Sequence, residues 1–365
     1  MRWAGQSEFL RLAIPIQDPL AWSLKRCDPG GWISFMKRRS FVLGAGAAVA
    51  AAGVRVRGAE RGFPGELVRG SFALDGTRVR IFSPACREEV RILMLADTHL
   101  FRDDQRGAPF IEFSGRMARA YNQTKHFVTG EPTDPEQAFA SALIRAREWK
   151  PELLALVGDI VSFPSEAAVE WVLRKLSAVG IPFQYTAGNH DWHYEGMAGT
   201  LAELRATWTR ARLAPLHQGA DPLMSVRAVG DVRVVMLDNS NYEILPEQLE
   251  FFRGEVRSGK PLLLMVHIPL FAPGRSLGFG CGHPDWGGKN DRGYELERRE
   301  RWRESGHTEV TRTFHREAFQ AANLLGVFAG HVHRPSVDVV NGIPQFVAEA
   351  NAVGAWMEIE VMPAG

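Results

Sequence analysis

RILMLADTH, at residues 91–99, is an apolar run that ends in an aspartate and a histidine. Four later stretches have the same form: LLALVGD at 153–159, PFQYTAGNHD at 182–191, LLLMVH at 262–267 and GVFAGHVH at 326–333. Short apolar runs of this kind are consistent with buried strands. In an open α/β sheet, the carboxyl ends of neighbouring strands converge on one edge, where ligands bind. We therefore expect the polar residues that end these runs to meet at one site.

The spacing of these residues supports a shared site. Asp97 and His99 are separated by one residue, as are His331 and His333. If each pair ends an extended strand, both of its side chains point to the same side. Glycine permits sharp turns and close backbone approach, and it lies beside the polar residues of three runs, at Gly158, Gly188 and Gly330.

The candidate ligands carry carboxylate, amide or imidazole groups: Asp97, His99, Asp159, Asn189, His267, His331 and His333. This mixture suits borderline divalent metals such as manganese, iron or zinc, and the absence of cysteine from the set argues against a structural zinc site. A carboxylate shared by two ions builds a centre that clamps phosphoryl oxygens and lowers the pKa of a bridging water. A neighbouring histidine then protonates the leaving oxygen. We therefore expect two divalent metal ions and hydrolysis of a phosphate ester by a metal-bridging hydroxide.

Taken in order, DTH, GD, GNHD, a single histidine after a strand, and GHVH resemble the motif set of the calcineurin-like metallophosphoesterases, from Asp97 to His333. The resemblance implies an α/β fold of four layers, a β-sandwich of two mixed sheets flanked by helices. It implies a first metal held by Asp97, His99, Asp159 and His333, and a second held by Asp159, Asn189, His267 and His331. In this scheme Asp159 bridges the ions, His190 is the acid or phosphate-stabilising histidine, and Asp191 orients it.

One departure from the family's motifs concerns the tyrosine ligand that gives purple acid phosphatases their colour. Purple acid phosphatases place an iron-coordinating tyrosine after their second motif, whereas residues 158–162 here read GDIVS. We therefore expect no purple charge-transfer species.

The composition is that of an ordinary soluble globular protein, with 45% hydrophobic and 23% charged residues. The formal net charge is +1, from 43 basic and 42 acidic residues, so no overall field attracts nucleic acid or an anionic bilayer. We expect the partner to be a small phosphate ester. The three cysteines, Cys27, Cys86 and Cys281, form no disulfide framework, and pairing of the last two stays open.

The N-terminal region is predicted to be an export signal. MKRRSFVLGAGAAVA begins at Met36, and its basic start with Arg38 and Arg39 precedes an apolar run. That layout is typical of a twin-arginine signal, and a run of about 14 residues is shorter than the ~20 that span a bilayer. We therefore predict a signal at 36–60, a catalytic domain at 61–365, and residues 1–35 as an upstream extension with translation beginning at Met36. The protein is then periplasmic or secreted, or retained by an uncleaved signal; a buried helix is the alternative reading of the run.

Strand and helix patterns alternate along the rest of the chain, which favours a layered α/β domain. We predict helices at 133–149, 165–179, 201–212, 246–256 and 308–325, and strands at 71–82, 90–96, 153–157, 182–187, 232–237, 262–266 and 327–329. Residues 101–131 and 274–305 are predicted insertions, and long loops in a compact domain are often functional lids.

The remaining histidines do not belong to the ordered set of motifs. We interpret His126, His217, His307 and His315 as ordinary solvated residues, and His193 as an exposed loop residue. The loop with His283 and Trp286 follows His267 closely, so Trp286 either contacts substrate or anchors the loop.

The expected activity is phosphate-ester hydrolysis, with diesters favoured because the motif layout resembles that of cyclic-nucleotide phosphodiesterases. The alternatives are a phosphomonoesterase or nucleotidase, a phospholipid or sphingolipid phosphodiesterase, and a metal-stabilised binding module without catalysis. A protein phosphatase is disfavoured, because the two insertions predict walls around a small substrate.

Overall fold

The strands of this protein are numbered in chain order. The structure, a computed structural model, describes residues 68–290 and 305–364, so the predictions for the extension at 1–35 and the signal at 36–60 lie outside the described residues. The strands within them are β1 (Phe72–Asp75), β2 (Arg78–Ser83), β3 (Val90–Leu95), β4 (Thr124–Lys125), β5 (Pro132–Thr133), β6 (Leu153–Val157), β7 (Phe183–Thr186), β8 (Met224–Val229), β9 (Val232–Leu237), β10 (Leu262–Val266), β11 (Leu324–Ala329), β12 (Ser336–Val340), β13 (Ile343–Val347) and β14 (Met357–Pro363).

The helices are numbered in the same way. They are α1 (Ile111–Ser114), α2 (Met117–Ala120), α3 (Pro135–Trp149), α4 (Glu166–Val179), α5 (Leu201–Trp208), α6 (Ala214–His217), α7 (Pro246–Arg257) and α8 (Glu309–Ala318). A π-helical turn, Thr209–Leu213, joins α5 to α6. Short 3-10 turns occur at Gln105–Phe110, Leu277–Phe279 and Asn351–Val353.

Two mixed sheets of six strands form the centre of the fold. The first has the order β1-β2-β14-β3-β6-β7, and the second has the order β12-β13-β11-β10-β9-β8. In the first sheet β3, β6 and β7 run parallel, and in the second β9, β10, β11 and β13 run parallel. The strands that precede the candidate ligands are therefore neighbours, with their carboxyl ends at a common edge.

Alternation of side chains along each central strand explains the layers. In β3, Leu93 and Leu95 pack with Phe139 of α3 and Val172 of α4. The alternate residues of β3 pack with β9 and β10 of the other sheet, in a core that includes Ile92, Met94, Val234, Met236, Leu263 and Met265. The outer face of the second sheet packs on α7 and α8. The predicted four-layer sandwich, helices on sheet on sheet on helices, is confirmed.

Local sequence explains where the two longest helices begin and end. The Asp134 side chain accepts the Gln137 backbone N–H, and Pro135 occupies the first turn of α3. The Ser165 hydroxyl accepts the Ala168 N–H at the start of α4, which Gly180 ends in the left-handed conformation at φ 72°. The predictions for both helices are confirmed.

Two predicted elements are wrong in their bounds. Residues 71–82 form not one strand but the hairpin of β1 and β2, because Gly76 turns the chain at φ 59°. The helix predicted at 308–325 ends at Ala318, since the following residues lead into β11, which pairs with β10 in the buried sheet. The strand pattern also missed β4, β5, β8, β12, β13 and β14.

The first insertion, residues 101–131, is attached to the body of the domain by ion pairs. The Arg106 guanidinium contacts the carboxylates of Glu166 and Glu170 of α4 at 2.6 Å each. Arg116 donates to Glu195 at 2.5 Å, and the Phe127 N–H donates to the Val353 carbonyl at 2.9 Å. This insertion is a fixed wall beside the end of β3.

Candidate metal centre

The candidate ligands follow the carboxyl ends of five central strands: Asp97 and His99 after β3, Asp159 after β6, Asn189 after β7, His267 after β10, and His331 and His333 after β11. Their backbone differs from the expected extended form. Positive φ angles occur at Asp97 (56°), His99 (54°), Asp159 (51°), His331 (70°) and His333 (51°). The paired ligands therefore reach one site through left-handed turns, and strand alternation does not explain it. Such backbone is disfavoured for residues with a Cβ and concentrates at functional sites.

The first cluster consists of Asp97, His99 and His333. The Nε2 atoms of His99 and His333 lie 3.0 Å apart, and His333 Nε2 lies 3.2 Å from Asp97 Oδ1. Asp97 and His99 are fully buried, whereas the His333 side chain is 31% exposed. The cluster therefore opens to solvent on the His333 side.

The second cluster consists of Asp159, His267 and His331. His267 Nε2 lies 3.1 Å from Asp159 Oδ2 and 3.9 Å from Asp97 Oδ1, while His99 Nε2 lies 3.9 Å from Asp159 Oδ2. The two clusters thus adjoin each other across the Asp97 and Asp159 carboxylates. The structure brings six of the seven predicted ligands into these clusters.

The seventh predicted ligand, Asn189, is 6% exposed. Its side-chain Oδ1, like His99 Nδ1, is buried without a hydrogen-bond partner among the described residues. A buried polar atom without a partner costs about 1–3 kcal/mol, and coordination of a divalent ion by an amide oxygen removes that cost. The donor set and this unpartnered oxygen therefore fit a metal ion.

The electrostatics of the second cluster are those of a close ion pair. Burial opposes ionisation of Asp159, but the neighbouring rings of His267 and His190 outweigh it and hold the pKa of Asp159 well below its usual range. Burial likewise opposes protonation of His267, yet the Asp159 carboxylate raises the pKa of His267 to about 10. The pair therefore favours a proton on His267 when no metal is bound, and a coordinated cation would take the place of that proton.

Asp191 differs from its expected role as the orienting partner of His190. Its carboxylate accepts the backbone N–H groups of Asp159 at 2.9 Å, Val161 at 2.8 Å and Gly188 at 2.7 Å. It makes no hydrogen bond to the His190 ring in the described part of the chain. Burial and the charge of Asp159 raise the pKa of Asp191 to about 7. Because three amides converge on it, Asp191 joins the loops after β6 and β7.

His190 lies at the edge of the two clusters. Its backbone N–H donates to Asp159 Oδ1 at 2.8 Å, and its ring centroid is 5.1 Å from that of His99. The side chain is partly exposed, so it is accessible from the solvent side. This position suits a proton donor to a leaving group.

The predicted close approach of glycine backbone is confirmed at Gly188 and Gly330. A Cβ at Gly188 would overlap the Asp159 carboxylate, and one at Gly330 would overlap Asp97 and Ala96. Only glycine leaves room for the two central carboxylates.

Sequence reasoning missed two tyrosines that contact the clusters. Tyr121, in the first insertion, stacks on His99 with centroids 4.1 Å apart and an interplanar angle of 7°. Tyr242 places its hydroxyl 2.5 Å from His331 Nε2. One signal was available for Tyr242, because NSNY at 239–242 follows the β9 run just as the ligands follow theirs. No pattern near Tyr121 indicates its contact.

Among the described residues, the other histidines and the two cysteines Cys86 and Cys281 lie outside both clusters. His217 and His307 are buried, so their interpretation as solvated residues is wrong. Trp286 is 3% exposed and stacks on His307 with centroids 4.2 Å apart, which favours the loop-anchoring alternative. Cys86 and Cys281 are buried and free, so they do not pair.

Within residues 68–290 and 305–364, no helix combines the length and the apolar character needed to cross a bilayer.

Two adjoining Asp/His clusters at the edge of a two-sheet sandwich define a metallohydrolase site. The model of the calcineurin-like phosphoesterase family matches residues 90–335, and the chain belongs to that family. Membership of this family indicates a site for hydrolysis of phosphoric ester bonds, and the family together with the clusters indicates a dinuclear divalent metal centre.

The matches to individual proteins are either short or low in sequence identity. A probable cyclic nucleotide phosphodiesterase of Moraxella catarrhalis is 36% identical over 59 residues, which are 16% of this chain and 21% of that protein. A dimetal phosphatase from Danio rerio superposes at 12% identity with a TM-score of 0.44, over 72% of this chain and 88% of that one. A purple acid phosphatase from yellow lupin, Lupinus luteus, gives 13% identity and a TM-score of 0.42, over 76% and 46% of the two chains.

Proposed function

We propose that this protein hydrolyses a small phosphodiester with two divalent ions of manganese, iron or zinc. The first ion would be held by Asp97, His99, Asp159 and His333, and the second by Asp159, Asn189, His267 and His331. The observation that carries this proposal is the adjoining pair of clusters, in which His99 and His267 each lie 3.9 Å from the carboxylate of the other cluster. When bound there, the two ions supply Lewis acidity and an activated water.

Residues of the chain supply the proton donor, hold the ligand loops in place and enclose the site. His190, partly exposed beside His99, donates a proton to the leaving-group oxygen. Asp191 holds the loops that carry Asp159 and Asn189 through three backbone amides. Tyr121 stacks on His99 of the first cluster, and ion pairs attach the first insertion beside it. The insertion therefore forms a wall at the site, which favours a small substrate over a folded protein.

The preference for a diester is supported by the short match to a probable cyclic nucleotide phosphodiesterase and by the motif layout. The second candidate is a phosphomonoesterase or nucleotidase, which uses the same ligands and differs in the contacts made by the non-reacting ester oxygen.

Metal-stripped protein reloaded separately with manganese, zinc and iron tests the proposal. Hydrolysis of bis-p-nitrophenyl phosphate and of p-nitrophenyl phosphate is measured beside the metal content of each sample. Metal-dependent turnover with a faster diester rate is the expected result. A faster monoester rate selects the second candidate, and two bound ions without turnover on either ester point to the non-catalytic binding module or a narrowly specific enzyme.

The acid role of His190 is tested by His190→Ala. We expect both metals to be retained and turnover to fall by roughly 10²–10⁴-fold, the usual contribution of a positioned acid or base. The loss is largest for esters with poor leaving groups, because these need protonation most. An equal loss across a series of leaving groups contradicts the assignment.

For the N-terminal region, we propose twin-arginine export directed by residues 36–60. The full chain is expressed in a bacterium with a functional twin-arginine pathway, and its distribution between cytoplasm, membrane and periplasm is measured. Replacing Arg38 and Arg39 together by lysine abolishes export, whereas the same change at Arg55 and Arg57 preserves it. Unprocessed protein in the membrane fraction indicates retention by an uncleaved signal, and wild-type protein confined to the cytoplasm refutes export.

A further inference from the structure

We infer that Tyr242 is a positioning residue for the second metal, which fixes the His331 ring through its hydroxyl so that the other ring nitrogen faces the ion. This inference rests on the proposed function. Tyr242 lies in no motif, and the segment that carries it follows β9, which supplies none of the proposed ligands.

The contact between the two side chains is short and buried. The Tyr242 hydroxyl lies 2.5 Å from His331 Nε2, and the two rings meet edge to face with centroids 5.4 Å apart. The Tyr242 side chain is 0% exposed. Because the ring is buried and its hydroxyl contacts His331, the effect of Tyr242 on the second metal would pass through His331.

The surroundings hold Tyr242 in an unfavourable backbone conformation. Its φ is 62°, in the left-handed region that bulky residues rarely adopt. The Tyr242 N–H donates to the Asn239 carbonyl at 2.8 Å, the Cys281 thiol donates to the Tyr242 carbonyl at 3.3 Å, and Trp286 packs parallel to the ring. Strained residues persist where the surrounding structure determines them and where their side chain has a role.

The chemistry of imidazole makes this contact consequential. A neutral histidine coordinates a metal through one ring nitrogen, and the partner of the other nitrogen sets the tautomer and the ring orientation. With Nε2 in contact with the phenol oxygen, Nδ1 of His331 is the nitrogen that we infer to face the ion. Loss of such a partner typically weakens metal binding by 10–100-fold.

Tyr242→Phe removes only the hydroxyl, and Tyr194→Phe is the matched control. Tyr194 is also buried, at 1% exposure, and its hydroxyl donates to the Pro164 carbonyl at 3.2 Å, away from the proposed ligands. Zn²⁺ affinities of both sites are measured by chelator competition in wild-type and variant proteins. The visible absorption of the Co²⁺-loaded proteins and the thermal unfolding of the metal-free proteins are recorded in parallel.

We expect the wild type to bind two ions. In Tyr242→Phe one of the two Zn²⁺ affinities falls by at least about 10-fold with an altered Co²⁺ spectrum, while the other affinity is unchanged. Tyr194→Phe binds both ions as the wild type does, and the two metal-free variants unfold at similar temperatures.

Unchanged affinities and spectrum in Tyr242→Phe overturn the inference while leaving the metal centre intact. Equal weakening in both variants, equal weakening of both ions, or a metal-free Tyr242→Phe protein that does not fold also overturns it, because the tyrosine is then merely structural. Wild-type protein that binds no metal overturns the proposed function itself, and the inference with it.

Discussion

At the scale of single residues, Asp159 is the side chain on which the two clusters depend. One carboxylate oxygen lies 3.1 Å from His267 and 3.9 Å from His99, and the other accepts the His190 backbone N–H at 2.8 Å. Its own N–H is held by Asp191. The residue therefore contacts both candidate metal sites and the loop of the proposed acid.

Replacing Asp159 by alanine should remove both metals and the activity together, because a bridging carboxylate serves each ion. We expect fewer than one ion per chain by elemental analysis and turnover at the level of the metal-free protein. Asp231→Ala is the control, since that carboxylate accepts the Arg87 N–H at an exposed site. An active variant with two ions contradicts the bridging role.

Asp191→Asn should destabilise the metal-free protein. A carboxylate that accepts three N–H groups becomes an amide whose own N–H₂ group faces a donor, and the expected loss is about 2–4 kcal/mol in the free energy of unfolding. Urea unfolding of metal-free protein measures the loss. If Asp191 acts only by orienting His190, Asp191→Asn leaves the free energy of unfolding unchanged. Its turnover then falls as far as that of His190→Ala.

At the scale of elements, β14 joins the first sheet to the helix layer. It lies between β2 and β3, and its Glu358 side chain accepts from Arg78 of β2 at 2.7 Å and from Arg145 of α3 at 2.6 Å. Burial opposes ionisation of Glu358, but the hydrogen bonds from Arg145 and Arg78 outweigh it and lower its pKa. The final strand is thus held by a carboxylate shared between two layers.

Glu358→Gln should lower the free energy of unfolding by about 1–2 kcal/mol at pH 7, since charge-assisted bonds to partly exposed arginines are lost. The pKa of Glu358 is lower in the folded protein than in the unfolded chain. Its contribution is therefore present above the unfolded value of about 4.3 and disappears as the pH falls through the folded value. The free energies of unfolding of the wild type and of Glu358→Gln are measured between pH 7 and pH 3. The two values should converge as the pH falls.

Glu148→Gln is the matched control for this change. Glu148 pairs with the same Arg145 at 3.8 Å, but its side chain is 63% exposed, so its removal should leave stability within about 0.5 kcal/mol. A pH-independent difference for Glu358→Gln shows that shape, and not charge, holds β14.

At the scale of the whole molecule, the candidate centre joins the two sheets. Asp97, Asp159 and Asn189 follow strands of the first sheet, whereas His267 and His331 follow strands of the second. An ion bound by residues of both sheets would link them at this end of the sandwich. Metal binding is therefore expected to stabilise the packing of one sheet on the other.

Chelation should lower the thermal unfolding temperature and abolish activity, and reloading should restore both. Because the metals bind the folded state, the stabilisation grows with metal concentration and reaches about 2.7 kcal/mol for each ion at 100 times its Kd. Unfolding temperatures across a metal titration test this, with Mg²⁺ as a poorly matched ion for an imidazole-rich site. Full metal loss without any change in unfolding temperature contradicts the coupling.

The ligand residues and the central strands could be predicted from local sequence. β6, β9 and β10 have the predicted bounds, because buried strands require continuous apolar residues that a short window displays. Hairpin β1–β2 and the end of α8 were less visible, since alternation and alanine-rich segments fit more than one element. The place of β14 inside the first sheet depends on pairing with strands more than 250 residues earlier.

The sequence by itself indicated the family, the four-layer class and the candidate ligands, six of which the structure brings together, because an ordered series of short motifs carries that information within each strand end. Only the tertiary structure decided that Asp191 binds three backbone amides, that Tyr121 stacks on His99 and that Tyr242 reaches His331. Apart from the Gly188 amide, which lies three positions from Asp191, these contacts join residues 22 to 89 positions apart, at positions with no periodic pattern. Their physical cause is the convergence of strand ends from two sheets, which exists only once both sheets have packed.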